Sequence, residues 1–248
     1  MLNYEQVQAY DRDGFVLVEN FFSADEVDAL LRHVKDDRIA GSTHSMPDTS
    51  GRDSKLSIWS ELSQDIFGRV SASPRVVDSA RALLREDVYH WHSKVMLKEP
   101  KVGGAWEWHQ DYGYWYHDGC LYSRMVSCLI ALDGATRENG CLKVLTGSHH
   151  IGRLDHGQQG NQVGADPARL RAVEELLPVR YVEAPAGSAL FFHCNLLHAS
   201  EPNTSDRPRT SYICCYNAMS NVPYGGHGHG SVKPIAMSQD ILAETNKQ

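Results

Sequence analysis

From about Val88 the chain stops reading as helix and becomes a series of short apolar runs cut by turn residues, and this constrains the fold more than any other feature. The runs are Val88–Leu97, Met125–Leu132, Leu142–Leu145, Val179–Val182, Ser188–Phe192 and Thr210–Asn217. Turn chemistry separates them at Lys101-Val102-Gly103-Gly104, Glu138-Asn139-Gly140, Ala184-Pro185-Ala186-Gly187 and Glu201–Pro208. One helix interrupts, near Asp166–Leu176, where Pro167 suits the first helical position. Many short strands with regular turns specify a sandwich or jelly roll rather than a sheet wound by crossover helices.

The first 87 residues have a helical texture. Ser23 and Glu26 form a capping-box signature, and Val27, Leu30, Leu31 and Val34 follow at helical spacing. A second helix is predicted near Pro74–Leu84, and Gly14–Val18 reads as a short strand. Ala40–Ser54 is rich in Gly, Ser and Asp and reads as a loop, as does the GGHGHG run at Gly225–Gly230. The expectation is one domain over 1–248, mainly β with α. A helical layer (1–87) covers one sheet of a jelly-roll core (88–217), followed by a loop-like tail (218–248).

With 42% hydrophobic residues in 248 the chain can bury a substantial core. Its formal charge of −7 and the absence of a Lys/Arg stripe argue against nucleic acid or an anionic membrane as partner. The start, MLNYEQVQAYDRDG, lacks the basic-then-apolar order of a signal peptide, and no apolar run is long enough to span a bilayer. Cys120, Cys128, Cys141, Cys194, Cys214 and Cys215 sit mainly in strand-like runs without a CxxC pair, which predicts buried thiols in a reduced, cytoplasmic chain rather than a zinc ribbon. Thirteen histidines make a metal site worth seeking.

The chemistry starts from His109-Gln110-Asp111. On an extended segment residues i and i+2 share a side, so an imidazole and a carboxylate can converge on one metal. Alone this says little, because chance gives about one such match with this many His and Asp. The second half is stronger. His198 ends the run from Gly187, and Arg209 opens the run from Thr210. If these two runs pair antiparallel, His198 and Arg209 face one pocket. Two imidazoles and a carboxylate leave three positions free on an octahedral iron(II). Arg209 offers a two-pronged donor for a carboxylate near it, and Ser200 adds a hydroxyl on the side of His198.

At these residues the sequence resembles the phytanoyl-CoA dioxygenase family of iron(II)/2-oxoglutarate oxygenases. The resemblance rests on His109-x-Asp111, Glu138-Asn139-Gly140-Cys141-Leu142, Thr146-Gly147-Ser148-His149 and His198-Ala-Ser200 with Pro202-Asn203 and Pro208-Arg209. It implies a double-stranded β-helix (jelly-roll, cupin-like) core and a dioxygenase that uses Fe(II), 2-oxoglutarate as co-substrate and O2. His109, Asp111 and His198 match the iron ligands. Arg209 and Ser200 match the residues for the far carboxylate of 2-oxoglutarate, and Lys55 the family's lysine at that site. Lys94, which falls where relatives often have Met beside the co-substrate, is a further candidate for binding 2-oxoglutarate, and Ser127 falls where several have Trp. A carboxylate at 111, where related halogenases have Gly or Ala, implies hydroxylation.

Other features carry two readings each. Trp106, Trp108, Tyr112, Tyr114, Trp115 and Tyr116 crowd the first metal residues as core packing or as a substrate wall. His92 reads as an inward-facing substrate contact or a packed strand residue. Arg124 reads as an anion-binding residue or a surface charge. His193 competes with His198 as ligand, but the Arg spacing favours His198. Three functions compete: a hydroxylase of an unactivated C–H on a small molecule, a catalytically silent binding protein on an oxygenase fold, and a cupin-like metal enzyme without 2-oxoglutarate. Substrate identity and oligomeric state are not legible.

Overall fold

The computed structural model describes residues 1–35, 42–226 and 231–242, and two antiparallel sheets stacked face to face organise them. The larger sheet comprises β1 (Phe15–Val18), β2 (His44–Pro47), β3 (Asp53–Trp59), β4 (Val88–Lys98), β6 (Met125–Ala131), β11 (Ala189–His193) and β13 (Arg209–Ala218). Their order is β1-β11-β6-β13-β4-β3-β2. The smaller sheet comprises β5 (Trp106–His109), β7 (Leu142–Leu145), β10 (Val179–Val182) and β12 (His198–Ser200), in the order β10-β7-β12-β5. A separate hairpin pairs β8 (His156–Gln159) with β9 (Gln162–Ala165).

Helices α1 (Tyr4–Asp13), α2 (Ala24–Val34), α3 (Ile66–Ser71) and α4 (Pro74–Leu84) cover the outer face of the larger sheet. Their starts follow from local chemistry. Asn3 with Gln6 and Ser23 with Glu26 form reciprocal capping boxes, and Pro74 opens α4. Val27 and Leu30 of α2 and Val76, Val77 and Ala80 of α4 pack with Tyr212, Cys214 and Tyr216 of β13. The short α5 (Asp111–Trp115) follows β5, and α6 (Pro167–Leu176) starts from Asp166, whose side chain accepts from Arg169 N.

Alternation along β13 divides two cores. Tyr212, Cys214 and Tyr216 face the helices, whereas Ile213 and Cys215 face the smaller sheet. On β4 that alternation is broken once: Cys215 opposes His92 and Tyr216 opposes His90, so Trp91 is an extra residue. Before this bulge Tyr89 and Trp91 point between the sheets; after it Met96 does. The one-residue shift therefore also turns Lys94 and Lys98 inward.

Several expectations need correction. Residues 44–47 and 53–54 of the expected loop are strand, and β1, β2 and β3 join the larger sheet, so residues 1–87 are not a purely helical layer. The run ending at His198 does not pair with the run after Arg209. It splits into β11 and β12 in different sheets, and β13 lies between β6 and β4. A flat pairing gives way to the sandwich because both faces of this sequence are apolar and need separate partners. The histidines of the GGHGHG run lie outside the described residues. All six cysteines are free and buried. Among the described residues no helix is long and apolar enough to cross a membrane.

Candidate active site

His109 and His198 are directly opposed partners of β5 and β12, with ring centroids 4.1 Å apart. His109 Nδ1 donates to Glu107 O at 2.7 Å, and His198 Nδ1 donates to Leu196 O at 2.9 Å. Carbonyl oxygens only accept, so each bond fixes the tautomer and leaves Nε2 as the free ligand atom. Asp111 follows not on a strand but as the first residue of α5, so the expected i,i+2 geometry is replaced by a strand-to-helix turn. That turn is pinned by the buried Gln110. Its Nε2 donates to Gly152 O (2.7 Å) and Asn195 O (2.8 Å), and its Oε1 accepts from Leu154 N (2.7 Å).

The three side chains converge: one potential ligand atom from each of His109, Asp111 and His198 lies within 4.8 Å of the others, and all three residues are buried. Ser127 Oγ donates to Asp111 Oδ2 at 2.7 Å, and the Lys94 ammonium lies 3.7 Å from Oδ1. Burial opposes charge on Asp111, but Lys94, then the two imidazoles and the Ser127 bond, hold its carboxyl far below the usual carboxylate range. Burial, and for His109 also the facing His198, keeps both imidazoles neutral near pH 7. Two neutral nitrogens and one ionised oxygen are a donor set that would suit a non-haem iron(II) with open positions.

A second cluster closes the other end of the cavity. Arg209 opens β13 opposite Lys98, is 3% exposed, and meets no acceptor side chain among the described residues. Burial lowers its guanidinium to about 10, so it is charged at neutral pH. Lys98 Nζ donates to Ser200 Oγ (2.7 Å) and Glu201 O (2.5 Å). Because Lys98 occupies an acceptor site of the Ser200 hydroxyl, that hydroxyl's own hydrogen is free to donate to a ligand. Gly140, at φ +81°, lets the chain pass beside this cluster: a Cβ there would sit 2.4 Å from Glu201 O.

The cavity between the clusters is lined by Leu56, Lys94, Met96, Trp106, His109, Leu129, His198, Ser200, Arg209 and Ile213, among others. The remaining sequence candidates are distributed unevenly. Tyr114 stands beside His109, ring centroids 5.7 Å apart, and donates to Val163 O. Tyr112 is buried in the inner core and donates to Cys120 O. His92 packs edge-on against Trp115. Tyr112, Tyr114 and His92 do not line the cavity, and Lys55, Trp108 and Arg124 lie away from it. Lys55 alternates with the inward Leu56 and pairs at 2.7 Å with Glu99 near the surface. Trp108 packs with Leu145, Leu154 and Leu197 beneath Lys143. Arg124 pairs with Glu86 at 2.8 Å. Lys98 and Gln110 are the residues that sequence reasoning missed. A lysine four residues past Lys94 was the only visible signal for the first, and nothing marked the second.

The phytanoyl-CoA dioxygenase (PhyH) family profile matches residues 10–211. The ectoine dioxygenase of Bordetella bronchiseptica is 33% identical over 236 residues, covering 89% of this chain and 77% of that protein. An L-proline trans-4-hydroxylase of Streptomyces griseoviridis is 34% identical over 192 residues, covering 71% and 70%. Crystal structures of EctD from S. alaskensis superpose well. The form with bound Fe gives a TM-score of 0.80 at 26% identity, covering 96% of this chain and 88% of that one. The form with 2-oxoglutarate and 5-hydroxyectoine gives 0.77 at 26%, covering 96% and 87%. The family profile, the relatives and the fold agree: the chain belongs to the phytanoyl-CoA dioxygenase family and is an Fe(II)- and 2-oxoglutarate-dependent dioxygenase that uses O2.

Proposed function

We propose that this enzyme hydroxylates an unactivated C–H bond of a small molecule while 2-oxoglutarate is decarboxylated to succinate and CO2. The observation that carries the reading is the buried convergence of His109, Asp111 and His198 at one end of a cavity whose other end presents Arg209 and Ser200. In this reading His109 and His198 bind iron through Nε2 and Asp111 through one carboxylate oxygen. Iron bound there supplies the oxygen activation that makes an inert C–H reactive. Arg209 grips the far carboxylate of 2-oxoglutarate, with the Ser200 hydroxyl donating beside it and Lys98 holding that hydroxyl in place.

The protein's other contribution is exclusion of water. Leu129, Ile213, Met96 and Trp106 wall the space with apolar surface, which protects a reactive site from side reactions. Asp111 supports hydroxylation because its carboxylate fills the position that halogenation requires free. The Arg209–Ser200–Lys98 cluster supports 2-oxoglutarate use over a cupin-like reaction without it. The two relatives named above act on small molecules, which supports a small-molecule substrate here.

The test is conversion of 2-oxoglutarate to succinate, followed by mass spectrometry with purified protein, Fe(II) and air. Iron- and oxygen-dependent succinate that disappears in Asp111→Ala is expected. Turnover that persists in Asp111→Ala overturns the ligand assignment.

A further inference from the structure

Lys94 is a buried cation whose one acidic neighbour, Asp111, is also a candidate metal ligand. It sits in the middle of β4, turned inward by the bulge at Trp91, and its side chain is 16% exposed, into the cavity. An ammonium has three donors. Among the described residues its one acidic neighbour is Asp111 Oδ1, at 3.7 Å, longer than a hydrogen bond. The cavity lining contains Lys94 and Arg209 but no Asp or Glu. The imidazoles of His109 and His198 supply no negative charge in either protonation state.

The Asp111 charge is also the one that a bound divalent metal takes up. With the metal held, Lys94 is left buried beside a dication with no anion of its own, an arrangement that low-dielectric surroundings strongly disfavour. The far carboxylate of 2-oxoglutarate does not relieve this. It belongs to Arg209, which opposes Lys98 on the neighbouring strand, and Lys98 lies four residues, or about 13 Å, along β4 from Lys94. We infer that Lys94 binds a carboxylate of the substrate, so that the enzyme acts on small organic acids whose acid group anchors them beside the metal, with the apolar wall of Leu56, Met96 and Leu129 taking the carbon skeleton. This rests on the oxygenase reading above and names its substrate class.

The same chemistry has a second source, the near carboxylate of 2-oxoglutarate, and the experiment separates the two. Protein loaded anaerobically with Mn(II) and saturating 2-oxoglutarate is titrated by calorimetry with propionate, cyclopentanecarboxylate and L-proline, and with the carboxamide of each. At least one acid is expected to bind tenfold or more tightly than its amide. That preference is expected to fall below twofold in Lys94→Met and to return in Lys94→Arg. The Kd of 2-oxoglutarate is measured in parallel and is expected to move less than threefold in Lys94→Met. Two results overturn the inference: no acid binding in preference to its amide in the wild type, or a tenfold weaker 2-oxoglutarate Kd in Lys94→Met with no acid response. Iron-dependent succinate formation by the same preparation is the separate control. Its absence would remove the oxygenase reading, whereas its presence with no acid preference removes only the substrate class.

Discussion

Replacing Ser127 by Ala removes a short hydrogen bond to Asp111 and a weaker one with Cys215. Ser127 lies at the centre of the larger sheet on β6, with its Oγ 2.7 Å from Asp111 Oδ2 and 3.3 Å from Cys215 Sγ. The bond joins a hydroxyl to a buried carboxylate and is therefore worth about 1.5–3 kcal/mol. In the metal-free chain the freed carboxylate can turn toward Lys94, 3.7 Å away. With a metal held in the site it cannot turn, so most of the loss falls on the metal-loaded state. At about 1.4 kcal/mol per factor of ten, the expected outcome is Fe(II) or Mn(II) binding weaker by about 10- to 100-fold, with the backbone undisturbed. Anaerobic metal titration of wild type and Ser127→Ala measures this directly, with circular dichroism confirming that both are folded. A metal Kd unchanged within twofold would refute the argument that Asp111 is oriented by Ser127 for metal binding.

Other outcomes follow from the same geometry. Arg209→Met is expected to weaken 2-oxoglutarate binding by about 100-fold or more, since a buried bidentate ion pair is lost, with Arg209→Lys intermediate; calorimetry showing equal Kd values would contradict the assignment. Leu30→Ala, at a fully buried position of α2, is expected to cost about 2–5 kcal/mol of stability in urea unfolding while leaving the metal Kd of the folded protein unchanged. His90 is buried, donates from Nδ1 to Ser60 O, accepts at Nε2 from Ser93 Oγ, and has its imidazole pushed down to about 4 by burial. The unfolded chain therefore binds the proton first: His90 contributes its full stability above pH 6.5 and loses it as pH falls toward 4. Metal-free His90→Gln is expected to lose about 2–3 kcal/mol less than wild type between pH 7 and 4.5, and identical losses would contradict this.

What the sequence disclosed and what it hid divide along a physical line. Apolar runs long enough to show their period, such as Val88–Leu97 and Met125–Leu132, lie close to their observed strands, and the capped helix at Ser23 starts where its capping box predicts. His109, Asp111, His198 and Arg209 were legible because they fall in an ordered linear pattern; the fold converges the first three, and His109, His198 and Arg209 line one cavity. The strands that hold them were not, since β5 and β12 are four and three residues long and are defined by pairing with each other across the fold rather than by their own composition. Parity was the other hidden variable. A single bulge at Trp91 decides that Lys94 and Lys98 face inward, and strict alternation on β3 sends Leu56 inward and Lys55 out to Glu99. Neither choice leaves a trace in residue type. The pairing expected between the segments around His198 and Arg209 failed for the same reason: side chains from two different sheets meet across the interior, so proximity in space did not require adjacent strands.

The central claim is that one iron is held by His109, Asp111 and His198 in a site that also takes 2-oxoglutarate. Anaerobic Fe(II) titration in the presence of 2-oxoglutarate, followed in the visible region where an iron–keto acid chelate absorbs, tests it most directly. The expected result is a band that needs both components, saturates at one Fe(II) per chain, and is lost in His198→Ala while that variant remains folded. A band of equal strength and stoichiometry in His198→Ala, or none in the wild type, would contradict the account.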